Sequence, residues 1–545
     1  MNVVLSLLTY ALGALAISLA ALCYYLNSNF DYWKKRGVPY LQPEPFFGNV
    51  REITLLKKSM ADVLTGLYRH FEGKRFAGIF MSRTPSMLLI DPELVKNVLV
   101  KDFGHFQDRG HNFDEDKDPL SAHLFNLGGS KWRKLRTKMT PTFTSGKMKM
   151  MFHLMEECSS QLQMYLADVA NASQGVELRE VLAKFTTDVI GTCAFGLQLN
   201  SMSESESEFR KMGKKVFDPS VINDIRRFLG LLIPALAKVL RVRMVSEDTT
   251  AFFTQAVKDT VEYREKNNVK RNDFLQLLIQ MKNGKIEQEY DPLINNNFFD
   301  TPQKNGFAMQ NGSKLSNGHG TQNGKLRDDD DLELTDNLLA AQAFVFFLAG
   351  FETSATTMSF ALHELAVNPD IQEKLREEVD ATYEKCGGKL TYDAVQEMDY
   401  LDKVLSEALR KYPPGHVLVR QCTRDYAVPG SSVVLEKGLR VLVPVYAMHH
   451  DAKYYPEPER FDPERFSPEQ KAQRPPFTYL PFGEGPRLCI GMRFGLLQAK
   501  VGLAALISRY QFHVCERTSI PLTIEPRTIV TSPKGGIWLR VSPRS

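Results

Sequence analysis

The hydrophobic pattern divides the chain into an apolar N-terminal stretch and a long remainder. No charged side chain occurs in residues 1–30, and residues 3–26 are apolar apart from a few Ser, Thr, Asn and Tyr. About 20 apolar residues span a bilayer as a helix, so residues 1–30 are predicted to be a membrane anchor. A cleaved signal peptide is the alternative, but it carries positive charge before a shorter apolar run. Here the basic residues 34–36 follow the run, which predicts a cytoplasmic remainder.

Three closely spaced prolines follow the anchor and prevent a helix, so residues 31–50 are predicted to form a basic, Pro-rich hinge. From about residue 51 to 282, apolar residues recur mostly at helical spacing, which predicts a mainly helical half. Residues 283–331 are rich in Asn, Gly, Gln, Lys and Asp, and they are predicted to be a disordered loop within one large domain, 51–545. A binding or modification site is the alternative for this loop.

A long apolar helix is predicted after the loop. Thr335 offers an N-cap, the run LLAAQAFVFFLAGFETSATTMSFALHELAV follows, and Pro369 stops it. A helix that is apolar on every side is buried in protein or in lipid. Because Glu352 and Thr353 lie at its centre, burial inside the protein is predicted.

Short strands are predicted further on, where turns occur at Pro429-Gly430 and Lys437-Gly438, so the fold is predicted to be mainly α with a small β part. The hydrophobic fraction of 43% is ordinary for a globular protein. The net charge of +4 is small for 545 residues and gives no reason to expect a nucleic-acid partner. Seven scattered cysteines lack CxxC spacing, so reduced thiols are predicted, and a cysteine in an unusual setting would favour metal binding or catalysis.

The segment PFGEGPRLCIG, residues 481–491, gives Cys489 such a setting. Its glycines allow the backbone to approach a planar group closely, and backbone N–H groups can stabilise a sulfur anion. A helix predicted to begin near Gly491 directs its positive end at the same sulfur. The segment therefore favours a thiolate, although a cysteine taken alone is more often a small buried hydrophobe.

This segment resembles the haem-binding signature F-x-x-G-x-R-x-C-x-G of cytochromes P450. All five fixed positions are filled, by Phe482, Gly485, Arg487, Cys489 and Gly491. The resemblance runs from the anchor to the C-terminus and is strongest to microsomal insect members of the detoxification type. It implies a cytochrome P450-like fold with an N-terminal transmembrane helix, in which Cys489 is the axial ligand of the haem iron.

Two further motifs carry the resemblance through the C-terminal half. Glu407 and Arg410 in LSEALRKYPP, with Arg465 in PERFDPERF, resemble the family's buried Glu-Arg-Arg network, which is implied to fix the cysteine loop. By themselves, Glu407 and Arg410 would be a weak surface ion pair.

The sequence AGFET, residues 349–353, is similar to the family's oxygen-activation motif. Glu352 and Thr353 are thereby implied to relay protons, and Gly350 is implied to leave room for the oxygen. The alternative for Thr353 is a hydrogen bond back to the carbonyl of residue 349 that bends the helix, and both descriptions can hold.

Trp132 and Arg136 in SKWRKLRTKM resemble the family's W-x-x-x-R helix, which holds a haem propionate. Arg487 and Arg420 are implied to bind the haem in the same way, because Arg suits bidentate carboxylate binding. The same helix carries a basic face that is predicted to dock an acidic electron donor. This face consists of Lys131, Arg133, Lys134 and Lys138.

The resemblance implies a haem-thiolate monooxygenase that inserts one atom of O2 into a small apolar substrate, either a xenobiotic or an endogenous lipid or hormone. Haem b is the implied cofactor, and NADPH is expected to supply electrons through NADPH-cytochrome P450 reductase, with cytochrome b5 as a candidate second donor. The chain shows no GxGxxG fingerprint in a strand-turn-helix setting, so the electrons must come from a partner. The expected location is the endoplasmic reticulum membrane, with the catalytic domain on the cytoplasmic face.

Two other functions remain open: a haem-thiolate enzyme that isomerises or dehydrates a hydroperoxide, and a non-enzymatic haem protein such as a gas sensor or lipid carrier. The pair Glu352 and Thr353, together with the anchor, favours the monooxygenase. The candidate pocket walls are apolar and aromatic, and each is by default a core residue. They are Phe103, Phe106, Phe113, Phe125, Phe344, Phe347 and residues 417–419, with the loop 530–532 nearby.

Overall fold

The computed structural model describes residues 2–111, 113–170, 175–203, 207–217, 220–232, 239–284 and 334–544. The predicted loop 283–331 lies outside the described residues except for its first two. The helices are α1 (Asn2–Asn27), α2 (Tyr32–Lys35), α3 (Arg51–Thr54), α4 (Met60–His70), α5 (Pro92–Lys96), α6 (Gly129–Met139), α7 (Ser145–Val169), α8 (Leu178–Ile190), α9 (Glu208–Phe217), α10 (Val221–Leu232), α11 (Glu247–Lys266), α12 (Phe274–Lys282), α13 (Asp336–Val367), α14 (Pro369–Lys385), α15 (Tyr392–Gln396), α16 (Asp399–Lys411), α17 (Val445–His449), α18 (Pro468–Gln473) and α19 (Met492–Arg509).

In the described part of the chain, three small sheets accompany these helices. The strands are β1 (Phe76–Met81), β2 (Thr84–Leu89), β3 (Val176–Glu177), β4 (Leu418–Gln421), β5 (Tyr426–Ala427), β6 (Val434–Leu435), β7 (Arg440–Val443), β8 (Tyr510–His513) and β9 (Trp538–Pro543). They pair in the orders β1-β2-β7-β4, β3-β9-β8 and β5-β6. All pairs are antiparallel except β2 with β7.

The sequence predicted a mainly helical stretch over residues 51–282, yet β1 and β2 lie within it. Every residue of β1 is buried, as are the last four of β2. A strand covered on both faces has no alternation of polar and apolar residues, so its period does not distinguish it from a helix. The parallel pairing of β2 with β7 joins the two halves of the chain.

The long helix α13 forms the centre of the molecule. The Thr335 hydroxyl accepts the N–H of Leu338 as its N-cap, and the helix ends before Pro369, as predicted. Although α13 is long and apolar enough to cross a membrane, 72% of its apolar window is buried. The predicted burial inside the protein is therefore confirmed. The main hydrophobic core joins α13 to α7, α8 and α19.

The N-terminal helix α1 passes the same length and apolarity test, and none of its apolar window is buried. It is therefore a candidate transmembrane span. The following segment 31–50, predicted as a hinge, lies along β1: Tyr40 forms a bridge with Gly78, and Gly48 forms one with Met81. The indole of Trp33 is fully buried and donates to the carbonyl of Ile79 at 3.0 Å.

Candidate active site

A large internal cavity lies between α13, the N-terminal end of α19 and the loop that carries Cys489. Its empty volume, including its opening to solvent, is about 1770 Å³. The space that the centre of a water-sized sphere can reach inside it is about 360 Å³, which lies within the roughly 300–1,000 Å³ of ordinary ligand pockets. The walls are mostly apolar. The polar side chains that interrupt them include the thiol of Cys489, the hydroxyl of Thr142, several hydroxyls of α13 and four arginines.

The cysteine loop owes its shape to two close backbone approaches. Gly485 has φ +72, and a Cβ added there would lie 2.0 Å from the carbonyl oxygen of Leu99, so no other residue fits. The N–H of Cys489 donates to the carbonyl of Phe482 at 2.9 Å, which closes the loop. Gly491 precedes α19, where the sequence predicted the helix to begin.

The Cys489 side chain is accessible, but the space that it faces is the interior cavity and not bulk solvent. Burial raises the pKa of the Cys489 thiol, while the N–H of Gly491 and the nearby Arg136 and Arg109 act to lower it. A backbone donor, two cations and the start of a helix thus surround this sulfur, and each stabilises negative charge.

Three of the predicted arginines lie at this cavity: Arg136, Arg420 and Arg487. Burial is the main cause that lowers the pKa of Arg136 and of Arg420 to about 10, and that of Arg487 to about 9, with repulsion from Arg420 contributing to the last. A guanidinium does not lose its proton near neutral pH, so these three side chains remain cationic at the cavity wall.

Arg487 nevertheless has well-defined contacts. It lies 4.0 Å above the ring of Trp132, and it donates to the carbonyls of Gln107 at 2.9 Å and Leu127 at 2.8 Å. Asp108 is the nearest carboxylate, 3.8 Å away. Arg420 donates to its neighbour's carbonyl, but its buried Nε has no hydrogen-bond partner.

A fourth arginine, Arg109, is a functional candidate that the sequence reasoning missed. It lines the cavity, lies 4.1 Å from the centre of the Phe125 ring, and donates to the carbonyl of Phe125 at 2.9 Å. Burial, with repulsion from Arg420, Arg487 and Arg136, holds the pKa of Arg109 well below its usual range. The available signal was a charged residue in the aromatic stretch that was predicted to wall the pocket.

The two predicted proton-relay residues differ in position. Thr353 lines the cavity, and its hydroxyl donates to the carbonyl of Ala349 at 2.6 Å. Glu352 is buried, does not line the cavity, and forms a short ion pair with Arg179 of α8. Burial alone would lower the pKa of Arg179, but the carboxylates of Glu352, Glu177 and Glu180 together outweigh burial and raise it.

Gly350 is constrained by a neighbouring helix as well as by the need for space in the cavity. A Cβ added to it would lie 2.6 Å from Cδ1 of Ile190, the last residue of α8. The glycine therefore permits a close approach of two helices as well as an open cavity wall.

The predicted Glu-Arg-Arg residues come together. Arg410 donates to both oxygens of Glu407, at 2.7 and 2.8 Å, and Arg465 lies 3.4 Å from the same carboxylate. Arg410 also donates to the carbonyl of His449, whose Nε2 accepts the N–H of Leu480 at 2.8 Å. Because Leu480 directly precedes the cysteine loop, the network is connected to that loop through His449, which no sequence motif had indicated.

The pocket walls differ in part from those predicted. On α13 the cavity is lined by Val345 and Phe346, whereas Phe344 and Phe347 pack against Phe253. The helical period explains this, since residues 345, 346, 349, 353 and 357 share one face. Phe125 and Leu418 line the cavity. Phe103, Phe106, Phe113, Val417, Val419 and residues 530–532 do not.

Two comparisons with known proteins found proteins similar to this chain. A family model described as Cytochrome P450 matches residues 38–298 and 319–540. The chain is 42% identical over 539 residues to Cytochrome P450 6a2 of Drosophila melanogaster, covering 98% of this chain and 99% of the relative. It is 42% identical over 541 residues to Cytochrome P450 6A1 of Musca domestica (98% and 98%), and 40% identical over 530 residues to Cytochrome P450 6k1 of Blattella germanica (97% and 96%).

Proposed function

The chain belongs to the cytochrome P450 family and is a haem monooxygenase, and we propose that it oxidises small apolar molecules with electrons that a separate reductase passes from NADPH. The observation that carries this proposal is that Cys489 opens into a large, mainly apolar cavity that also holds four arginines. Such walls favour apolar substrates, and both xenobiotics and endogenous lipids or hormones have this character.

The residues around the cavity fit a haem. Arg109, Arg136, Arg420 and Arg487 need anions, and a haem carries two carboxylates. Among the described residues, no group of three or more His, Cys, Asp or Glu side chains could hold a bare metal ion, so iron would be held by the macrocycle and Cys489. When bound, haem b would supply the reductive activation of O2, which a thiolate ligand favours.

Each side chain then has a definable task. The Cys489 thiolate would bind iron, the arginines and Trp132 would orient the propionates, and the apolar walls would exclude water from the reacting centre. Phe482 would pack beside the sulfur. The Thr353 hydroxyl would hold and pass on a proton, since it can donate and accept at once. Glu352 would deliver protons to Thr353 only after its ion pair with Arg179 opens.

The electron donor is proposed to be NADPH-cytochrome P450 reductase, with cytochrome b5 as a second donor, docking on the basic face of α6. Arg133 is exposed on this face, and Lys131 pairs with Glu115 at 2.9 Å. Reversing charge with Arg133→Glu should slow reduction by reductase several-fold at low salt and leave dithionite reduction unchanged. Lys258→Glu, an exposed site on α11, is the control. Equal reduction rates in the two variants would show that the electron donor does not dock on this face.

The protein associates with a membrane through α1, and we propose the endoplasmic reticulum with the catalytic domain in the cytoplasm. Lys34, Lys35 and Arg36 directly follow the apolar helix, and basic residues remain on the cytoplasmic side. Protection of only the N-terminus from protease in intact microsomes is the expected result.

The first test is the absorption spectrum of the dithionite-reduced protein with carbon monoxide. A strongly red-shifted Soret band is expected in the parent and in the control Cys422→Ala, a buried cysteine outside the cavity wall, and it should be absent in Cys489→Ala. A parent without haem, or a band that persists without Cys489, would overturn the assignment.

The second test distinguishes a monooxygenase from a hydroperoxide isomerase or dehydratase and from a non-enzymatic haem protein. With reductase, NADPH and a panel of apolar compounds, one oxygen atom of 18O2 should appear in product. Turnover of a lipid hydroperoxide without NADPH would favour the isomerase or dehydratase. Bound haem without any turnover would favour a sensor or carrier.

A further inference from the structure

The centre of α13 is held by one neighbouring helix, α8, through three contacts in a row. Arg179 pairs with Glu352, Ile190 packs against the hydrogen face of Gly350, and Thr186 donates its hydroxyl proton to the carbonyl of Phe351 at 2.8 Å. All three residues of α8 lie on one face of that helix, because they are separated by seven and four positions. The contacts span the turn that also carries Thr353.

The hydrogen bond of Thr186 differs from an ordinary threonine bond within a helix. Its hydroxyl also lies 3.2 Å from the carbonyl of Ala183 in its own helix. A hydroxyl has one proton, so the shorter bond to α13 takes the larger share of it. The side chain is completely buried, hence no water competes for the donor.

The carbonyl of Phe351 is a favourable place for such a contact. In a regular helix it accepts one N–H from four residues further on, and its second lone pair remains available to Thr186. Phe351 points away from the cavity, while Ala349 and Thr353 line it. A displacement of the Phe351 peptide group therefore moves the Thr353 hydroxyl in the cavity by a similar amount.

We propose that Thr186 is a positioning residue for proton delivery: its bond to the Phe351 carbonyl fixes the central turn of α13 against α8 and thereby fixes where the Thr353 hydroxyl lies. This inference rests on the proposed function, in which Thr353 passes protons. In coupled turnover, RH, O2, two electrons and two protons give ROH and water. When proton delivery fails, O2, two electrons and two protons leave as hydrogen peroxide instead.

Thr186→Val removes the hydroxyl with little change of shape, and Thr187→Val is its matched control. Thr187 is equally buried, but its hydroxyl donates only within α8, to the carbonyl of Ala183 at 2.6 Å. Thr186→Ser keeps the donor and should behave as the parent. All variants are compared as the full-length protein with its haem.

The first measurement is amide hydrogen exchange, which needs no turnover. Loss of one buried hydrogen bond should speed exchange in residues 350–357 of Thr186→Val roughly five- to tenfold. Thr187→Val and Thr186→Ser should exchange as the parent does. The second measurement is the share of consumed NADPH that appears as hydrogen peroxide, which should rise at least twofold in Thr186→Val alone.

The outcomes are distinguishable. If Thr186→Val and Thr187→Val exchange and couple alike, the proposal is wrong. If exchange increases without extra peroxide, Thr186 holds the helix but does not position Thr353, and the proposal is again wrong. If the parent itself consumes no NADPH, the proposed function fails, while the exchange data still decide whether Thr186 fixes this turn.

Discussion

Four guanidinium groups line one cavity, two of them buried (Arg420 and Arg487) and two half-buried (Arg109 and Arg136), and their positive charges favour an anionic ligand there. Burial, together with repulsion from three neighbouring cations, lowers the pKa of Arg109. Arg487 has a carboxylate only at 3.8 Å, and the Nε of Arg420 has no hydrogen-bond partner. One carboxylate does not balance four cations, so a ligand that carries negative charge would be stabilised in this cavity.

Arg109→Gln tests this stabilisation directly. A charge-assisted hydrogen bond contributes about 1.5–3 kcal/mol, so the variant should lose haem roughly tenfold faster or more. Transfer of haem to an excess of an acceptor protein measures that rate. Lys101→Gln, an exposed cation of the preceding segment, should lose haem at the parental rate. Identical rates in both variants would contradict a role for Arg109 at the propionates.

The sequence led to Cys489 and Arg487 because the signature fixes their spacing within eleven residues. Arg109 and His449 were not predicted, because no motif fixes their positions relative to the site. Arg109 reaches the cavity from a loop without a motif, and His449 acts through Leu480, 31 residues further on. A single sequence carries no motif for contacts that only the folded chain creates, and the one signal for Arg109 was a charge within an aromatic stretch.

The free energy of unfolding should depend on pH through His450, because folding lowers the pKa of its imidazole. Its ring is buried and stacks on Tyr446 with ring centres 4.0 Å apart. Burial, with repulsion from Arg410, lowers the pKa of His450 from 6.5 to about 3. Below pH 6.5 the unfolded chain therefore binds a proton that the folded protein does not, and stability falls as the pH falls from 6.5 towards 3.

The expected contribution of His450 is about 1.4 kcal/mol per pH unit over that window. The free energy of unfolding of His450→Gln should therefore decline less steeply than that of the parent between pH 6.5 and 5. Urea titrations at several pH values measure the difference. His70→Gln, at an exposed position, should keep the parental slope. Equal slopes for His450→Gln and the parent would show that another group carries the dependence.

At the scale of elements, the approach of α8 to α13 depends on Gly350. A Cβ there would lie 2.6 Å from Cδ1 and 3.0 Å from Cγ1 of Ile190, which is closer than packed atoms allow. Gly350→Ala should therefore lower the free energy of unfolding by about 1–3 kcal/mol, although alanine is the better helix former.

The double variant Ile190→Val, Gly350→Ala identifies the cause. Valine lacks Cδ1, so it should recover part of the loss, whereas Ile190→Val alone should cost about 0.5–1.5 kcal/mol. Gly66→Ala in α4 is the control, because nothing lies within 4 Å of its added Cβ. If Ile190→Val adds its full cost to that of Gly350→Ala, the two helices do not meet as described.

The predictability of each element follows from the strength of its local signals. The limits of α13 were predicted because Thr335 and Pro369 mark them and the run between them is long. The strands β5, β6 and β7 were indicated by turn residues. By contrast, β1 and β2 are buried on both faces and owe their partners to residues far away in the chain, so no periodicity disclosed them.

At the scale of the whole molecule, the segment that follows the candidate transmembrane helix α1 joins it to the rest of the fold. The Trp33 ring lies on Gly78, where an added Cβ would come within 2.4 Å of it. Phe30 packs on Phe80 with ring centres 5.3 Å apart, and Arg36 pairs with Glu436. These contacts hold the segment after α1 against β1 and against the residue that follows β6, so the orientation of α1 relative to the rest of the fold should be restricted.

Trp33→Ala should release this connection without unfolding the domain. Removing a buried Trp costs about 3–5 kcal/mol, and here the cost falls on a short helix at the edge of the fold. Cleavage by trypsin after Lys34, Lys35 or Arg36 requires local opening of that helix, and it should accelerate at least tenfold in the membrane-bound protein. Trp538→Ala, which removes a half-buried indole from β9, should leave this cleavage unchanged. A Trp33→Ala protein that is cut at the parental rate would mean that the prolines and ion pairs hold the segment without the indole, and that Trp33 only fills space beside β1.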